Sequence, residues 1–251
     1  MNPILFSIGS INIYAYSVYL TTGCLLGIGW AMRAARLWEL EYKLAPITGI
    51  IAIVSGVIGA RALYVSLYPQ EFSGDLLRIF YIWQGGLVFS GAIIFGSLAG
   101  LLYLRSKQQP ILDWLDCFAP GIALGQAVGR LGCFFAGCCY GKPADLPWAV
   151  TFKNTSSLAP LFQPLHPTQL YHSLGGLVTF LILVVAGNHI KTEGRITGLF
   201  LILFSAFRFI IEFFRADYRG ELGPLSMTQF ITLVFFAIGI YLLSIYKKRS
   251  S

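Results

Sequence analysis

Charge is scarce in this chain. Only 12% of its 251 residues are charged, 11 acidic and 18 basic, where a soluble domain carries roughly 25%. Histidine and methionine are rarer still, at three each. The five cysteines (Cys24, Cys117, Cys133, Cys138 and Cys139) are odd in number and lack the spacing of a disulfide framework. These shortages exclude a soluble enzyme, a zinc-finger protein and a disordered tail. The net charge of +7 invites a nucleic-acid partner, but no basic stripe with interleaved aromatics is present, and none is expected. The chain opens without a basic n-region or a small-residue cleavage pattern, so its first apolar run is expected to remain as a span.

What is plentiful is apolar surface. Hydrophobic residues make up 56% of the chain, with 20 Phe, 13 Tyr and 27 Gly, and the mean hydropathy is +0.71. A bilayer core needs about 20 apolar residues per helix. The expectation is therefore an all-α polytopic membrane protein of about seven transmembrane helices, one domain over residues 1–251. The spans are placed near Ile13–Met32, Ile47–Leu67, Gly86–Leu104, Leu115–Phe135, Leu170–Val185, Gly198–Phe214 and Met227–Ile245. The fourth and fifth, interrupted by polar residues, are expected to be the weakest by hydropathy. Between them, residues 141–167 are rich in Pro, Ser and Thr and read as a small extracytoplasmic cap. The stretch 68–85 has room for a short interfacial helix.

Basic residues fall in small groups between apolar runs. Ten of the 18 lie in alternate connections starting after the first span. Five (Arg78, Lys142, Lys153, Arg215 and Arg219) lie in the opposite set. By the positive-inside rule this puts the N-terminus outside and the C-terminus in the cytoplasm. Arg61, Arg130 and Arg208 remain, inside or at the edge of spans, with Glu212 four residues after Arg208 on the same helix face. Charges at membrane depth face a cavity or a partner. They read either as a structural ion pair with snorkelling arginines or as an anion site, since guanidinium matches phosphate with a planar fork of donors.

Gly121, Gly125 and Gly129 recur every fourth residue, a close-packing signal between helices. They run into the segment Gly129-Arg130-Leu131-Gly132-Cys133-Phe134-Phe135-Ala136-Gly137-Cys138-Cys139-Tyr140-Gly141. Its glycines predict a helix break that frees backbone donors beside Arg130. Its cysteines keep three readings: buried apolar filler, a Cys133–Cys138 or Cys133–Cys139 disulfide, or a metal site completed by His166 or His172, for which the spacing fits no zinc ribbon. His166 and His172 sit at the mouth of the fifth span and are candidates for acid–base work.

Taken together these segments resemble the bacterial prolipoprotein diacylglyceryl transferases. The likeness is carried by Tyr16-Ser17, Gly59-Ala60-Arg61 with Tyr64-Val65, Ile82-Trp83-Gln84-Gly85-Gly86, Arg130, the run Pro143–Val150, His166-Pro167-Thr168-Gln169-Leu170-Tyr171, the run Arg208–Arg215 and Leu225-Ser226-Met227-Thr228-Gln229. The resemblance implies transfer of diacylglyceryl from phosphatidylglycerol to the lipobox cysteine of a prolipoprotein in the bacterial cytoplasmic (inner) membrane. Glycerol-1-phosphate leaves, and neither cofactor nor metal is needed. It implies that Arg130 and Arg208 hold the departing phosphate and that Glu212 orients Arg208. Tyr16, Arg61, Gly132, Gly141 and Ser90 fall to substrate binding, with Arg61 at the headgroup entrance.

This chain departs from the family pattern at several places, among them His172, where the family often carries an acid. Cys133, Ala136 and Cys138 stand where the signature has Asn, Asn and Glu. Ser90 stands where the third-span motif has His, so His172 or His166 is expected to supply the base. Two alternatives stay open: the same lipid donor with another acceptor, or a non-catalytic lipid-binding or thiol/metal membrane protein built around Cys133, Cys138 and Cys139.

Overall fold

The computed structural model describes residues 2–9, 11–190, 192–216, 221–222 and 225–244. Lys191, Arg219, Ile245, Lys247, Lys248 and Arg249, which entered the span and charge assignments, lie outside the described residues.

Seven α-helices are present among the described residues: α1 (Ala15–Leu37), α2 (Leu44–Leu67), α3 (Phe89–Ser106), α4 (Ile111–Ala136), α5 (Thr168–His189), α6 (Arg195–Glu212) and α7 (Met227–Ser244). Each covers one predicted apolar run. Four of them, α2, α3, α5 and α7, are long and apolar enough to cross a membrane, and only 17–28% of their apolar windows is buried inside the molecule. The remainder is exposed or half-buried apolar surface, as in an all-α membrane protein. α5 is among the four, against the expectation that the fifth span would score weakly. Its polar residues Thr168, Gln169, His172 and Ser173 crowd into the first turns, leaving a run in which only Thr179 is polar before the last turn.

The chain divides into two compact units, Met1–Ala31 with Leu115–Ser251, and Met32–Trp114. In the second unit α2 and α3 pack through small residues. A Cβ on Gly56 would stand 3.1 Å from the Ala92 carbonyl oxygen, and one on Gly96 would stand 2.7 Å from that of Ala52. Between these helices the chain folds into three short 3-10 turns, Pro69–Phe72, Leu76–Phe80 and Ile82–Gln84, in place of one interfacial helix. Arg61 holds this segment. It donates to the carbonyls of Ile79 (2.8 Å), Gly85 (2.9 Å), Gly86 (3.1 Å) and Arg78 (2.5 Å).

In the first unit the glycine repeat of α4 meets α1. A Cβ on Gly23 would lie 2.6 Å from the Gly125 carbonyl oxygen, and one on Gly27 would lie 2.8 Å from that of Gly121. Only glycine allows backbones this close. Gly176 of α5 packs likewise on Ala123 and Ala127 of α4, and Ser173 Oγ donates to the Ala127 carbonyl at 2.7 Å. α6 and α7 cross at Gly198 and Gly239. The start of α6 is capped from α4: the Asp116 carboxylate accepts from the N–H of Gly194 (2.9 Å) and Thr197 (2.8 Å) and from Thr197 Oγ1 (2.7 Å). That placement satisfies orphan donors of the first turn.

Strands are minor. β1 (Ile4–Ile8) and β2 (Ile11–Tyr14) form a hairpin ahead of α1 that the apolar scan did not separate from the first span. Residues 141–167 fold around a small core of Phe152, Ala159 and Leu165, with β3 (Val150–Thr151) paired to β4 (Pro164–Leu165). β5 (Glu221–Leu222) and β6 (Leu225–Ser226) pair before α7.

Candidate functional site

The helix break falls at Gly137, whose φ is +76°, not at Gly132. Gly132 stays inside α4, where a Cβ would meet the Tyr16 backbone at 3.1 Å, so it serves the α1–α4 contact. After the break, residues 140–143 run between two other segments. Gly141 N–H donates to the His166 carbonyl (3.0 Å), Lys142 N–H to that of Phe214 (2.8 Å), and His166 N–H to that of Lys142 (3.0 Å). The Gly141 donor expected to meet an anion is therefore engaged. This three-way lacing brings the end of α4, the start of α5 and the end of α6 to one place.

Two buried side chains of α5 pin the turn itself. Gln169 Nε2 donates to the Cys138 carbonyl (2.8 Å) and Thr168 Oγ1 to the Cys139 carbonyl (2.7 Å). Both residues are fully buried. Cys139 is held at φ 60°, a left-handed conformation that its Cβ disfavours. The sulfurs of Cys133, Cys138 and Cys139 all lie within 4.8 Å of one another and are unbonded thiols. Hydrogen bonds from Cys133 and Cys138 draw the Cys139 thiol below the ordinary thiol value, and Arg215 and Arg130 act in the same direction. Cys138 is pushed the other way by its bonds with Cys133 and Cys139.

Around this turn stand the membrane charges. Arg208 Nη1 meets His172 Nε2 at 2.9 Å, both residues buried. Guanidinium has only donors, so Nε2 is the acceptor and the neutral ring carries its proton on Nδ1. Arg208 Nη2 also pairs with Glu212 Oε2 at 3.6 Å, and Arg215 Nε lies 4.0 Å from the same oxygen. Glu212 Oε1 accepts from Ser226 Oγ at 3.3 Å. Arg130, Arg208 and Arg215 all act electrostatically on the His172 ring. Tyr16, at the start of α1, lies within electrostatic reach of Arg130 and the three thiols. A void of about 10 Å³, room for one water, adjoins His172 and Arg208.

His166 lies apart from this cluster, on an open groove of about 680 Å³ that Asp145, Trp148, Tyr171 and Phe214 help to line. Its Nδ1 is 3.2 Å from Tyr171 Oη, which accepts from Trp148 Nε1 at 2.9 Å.

The structure thus gathers Arg130, Arg208, Glu212, His172, Tyr16 and the three cysteines in the first unit. Arg61 and Ser90 belong to the second. Ser90 is exposed in the first turn of α3. Arg61 spends four of its five N–H groups on carbonyls, so it is a clamp on residues 78–86 as it stands. Arg215 was counted as a loop charge but is buried, 4% exposed, beside Glu212. Its spacing from Arg208 and Glu212, seven and three residues, is the signal that places it on their face.

Comparison with known proteins gives the family. The family model described as prolipoprotein diacylglyceryl transferase matches residues 3–245. The phosphatidylglycerol–prolipoprotein diacylglyceryl transferase of Clostridium tetani is 34% identical over 249 residues, covering 99% of both chains. That of Finegoldia magna is 35% identical over 250 residues, covering 99% of this chain and 97% of its own. The Nostoc sp. enzyme is 33% identical over 246 residues, covering 95% and 87%. With a match of this extent, the chain belongs to the prolipoprotein diacylglyceryl transferase family.

Proposed function

We infer that this protein is a transferase that moves diacylglyceryl from phosphatidylglycerol to the cysteine thiol of a prolipoprotein, with glycerol-1-phosphate leaving. The observation that carries the reading is the set of Arg130 with buried Arg208 and Arg215 acting on His172, in a chain with full-length similarity to enzymes of that name. Arg208 and Arg215 share the Glu212 carboxylate, and these guanidiniums with Arg130 supply the planar donors that bind a phosphodiester and stabilise it as it departs.

The thiol attacks the glycerol carbon that bears phosphate, and the carbon–oxygen bond breaks. Arg130 and Arg208 take the phosphate charge, with Glu212 orienting Arg208. In the resting site the lone pair of His172 Nε2 is occupied by Arg208. Phosphate draws Arg208 away, and Nε2 becomes free to take the thiol proton. His166 lines the open groove where the acceptor peptide approaches. Arg61 keeps residues 78–86 in place. Tyr16 stands beside Arg130 and the three thiols in the first unit, and Gly132 and Gly141 hold the turn through the α1–α4 contact and the bond to His166.

The architecture that suits this reaction is a single domain of seven spans with residues 141–167 as an extracytoplasmic cap. The ten-to-five bias of basic residues supports an outside N-terminus and a cytoplasmic C-terminus in the inner membrane. The reading is tested by measuring glycerol-1-phosphate release from phosphatidylglycerol micelles containing a lipobox peptide. Release that depends on both the peptide cysteine and Arg208 is expected; release unchanged in Arg208→Lys would refute the role given to the planar fork.

A further inference from the structure

We propose that Cys133, Cys138 and Cys139 form a binding site for one soft, thiophilic cation, in an all-sulfur trigonal arrangement that suits copper(I) better than zinc(II). Sulfurs bound to one cation at about 2.3 Å stand roughly 3.8–4.0 Å apart. Here the three lie within 4.8 Å of one another before any cation draws them in. Adjacent residues such as Cys138 and Cys139 do not ordinarily send their side chains to one point. They do so here because Gly137 and Cys139 both take left-handed backbone angles. Buried Gln169 and Thr168 hold the resulting turn by its carbonyls. Strain held by surrounding structure is a mark of a working site.

Neither bland use of these thiols fits as well. A disulfide takes two sulfurs and strands the third. Apolar filler does not explain why Cys139 sits against the Arg215 guanidinium with Arg130 in reach.

Ligand number and softness select the cation. Zinc wants a fourth ligand. His172 offers none, because its Nε2 accepts from Arg208. Soft thiolates favour copper(I) in any case. Binding releases the thiol protons to solvent and changes no oxidation state.

The test uses full-length protein purified in detergent under reductant and exposed to copper(I) or zinc(II) in chelator buffers. Bound metal is counted by mass spectrometry and its shell read by X-ray absorption. About one copper per chain with only sulfur neighbours is expected, and alkylation should then label three fewer cysteines. Cys133→Ser, Cys138→Ser and Cys139→Ser should each weaken retention at least tenfold, while Cys24→Ser retains the metal. The proposal is overturned if wild type keeps no copper or if the triple variant keeps as much. A disulfide among the three in freshly isolated protein, or zinc held more tightly with nitrogen or oxygen in its shell, also overturns it. Alkylation and absorption are read on wild type, so a misfolded variant does not decide the matter. The readouts follow metal and sulfur alone and stand apart from diacylglyceryl transfer.

Discussion

Arg208 donates to the Nε2 of His172 across 2.9 Å, joining α6 to α5 in the buried part of the first unit. One nitrogen therefore has two competing partners, the guanidinium now and the thiol proton during transfer. The exchange between them is open to substitution. In His172→Gln the side-chain oxygen still accepts from Arg208 but takes no proton at neutral pH. Transfer should fall about 100-fold or more in this variant, as in His172→Ala, in line with the usual worth of a general base. Turnover near wild type in His172→Gln would reduce the histidine to a holder of Arg208. Kinetic assay beside a measure of membrane abundance separates the outcomes.

Glu212 is a carboxylate shared by Arg208 and Arg215, and its side chain is 6% exposed. Glu212→Gln removes that charge from beside two buried guanidiniums. Breaking such a pair by removing one partner costs about 3–5 kcal/mol. Thermal unfolding in detergent should show a clear loss of stability, and added anionic lipid headgroup should recover part of it. An unchanged melting temperature would contradict the shared-carboxylate arrangement.

The α1–α4 crossing rests on Gly23 and Gly125. Gly23→Leu places a side chain where a Cβ alone is already 2.6 Å from the Gly125 carbonyl oxygen. Overpacking of this kind costs typically about 1–3 kcal/mol, and here backbone must move. Folded yield from membranes should drop sharply, whereas Gly29→Leu, where no atom lies within 4 Å of a Cβ, should express normally.

Arg61→Lys keeps the charge but removes the fork that reaches four carbonyls. The segment 68–86 should become sensitive to limited proteolysis at Arg78, with the buried site of the first unit intact. Equal protease resistance would show that the clamp is dispensable.

Much of the fold was legible because lipid imposes it. Apolar runs had to be helices, and each of the seven expected runs overlaps one. The four-residue glycine repeat of α4 announced a close crossing, and the structure supplies Gly23 and Gly27 as the other side. The β1–β2 hairpin escaped because its apolar residues join those of α1 into one run. The clamp of Arg61 on residues 78–86 is invisible in the sequence because its acceptors are backbone carbonyls, which leave no trace in side-chain spacing. The same reason hid the grip of Gln169 and Thr168 on the cysteine turn. Arg215 was misplaced because it follows the helix end. The chain tightens there, with Phe213 and Phe214 N–H bonded three residues back, to Ile210 and Ile211, and so keeps the face of Arg208 and Glu212 for one further turn.

This protein, with serine in place of the family histidine at position 90, should carry out thiol diacylglyceration. The most direct measurement is mass spectrometry of a lipobox peptide incubated with purified protein and phosphatidylglycerol. The account predicts a diacylglyceryl adduct on the peptide cysteine that disappears with Arg130→Ala. A peptide left unmodified by folded wild-type protein, or modified equally by Arg130→Ala, would contradict it.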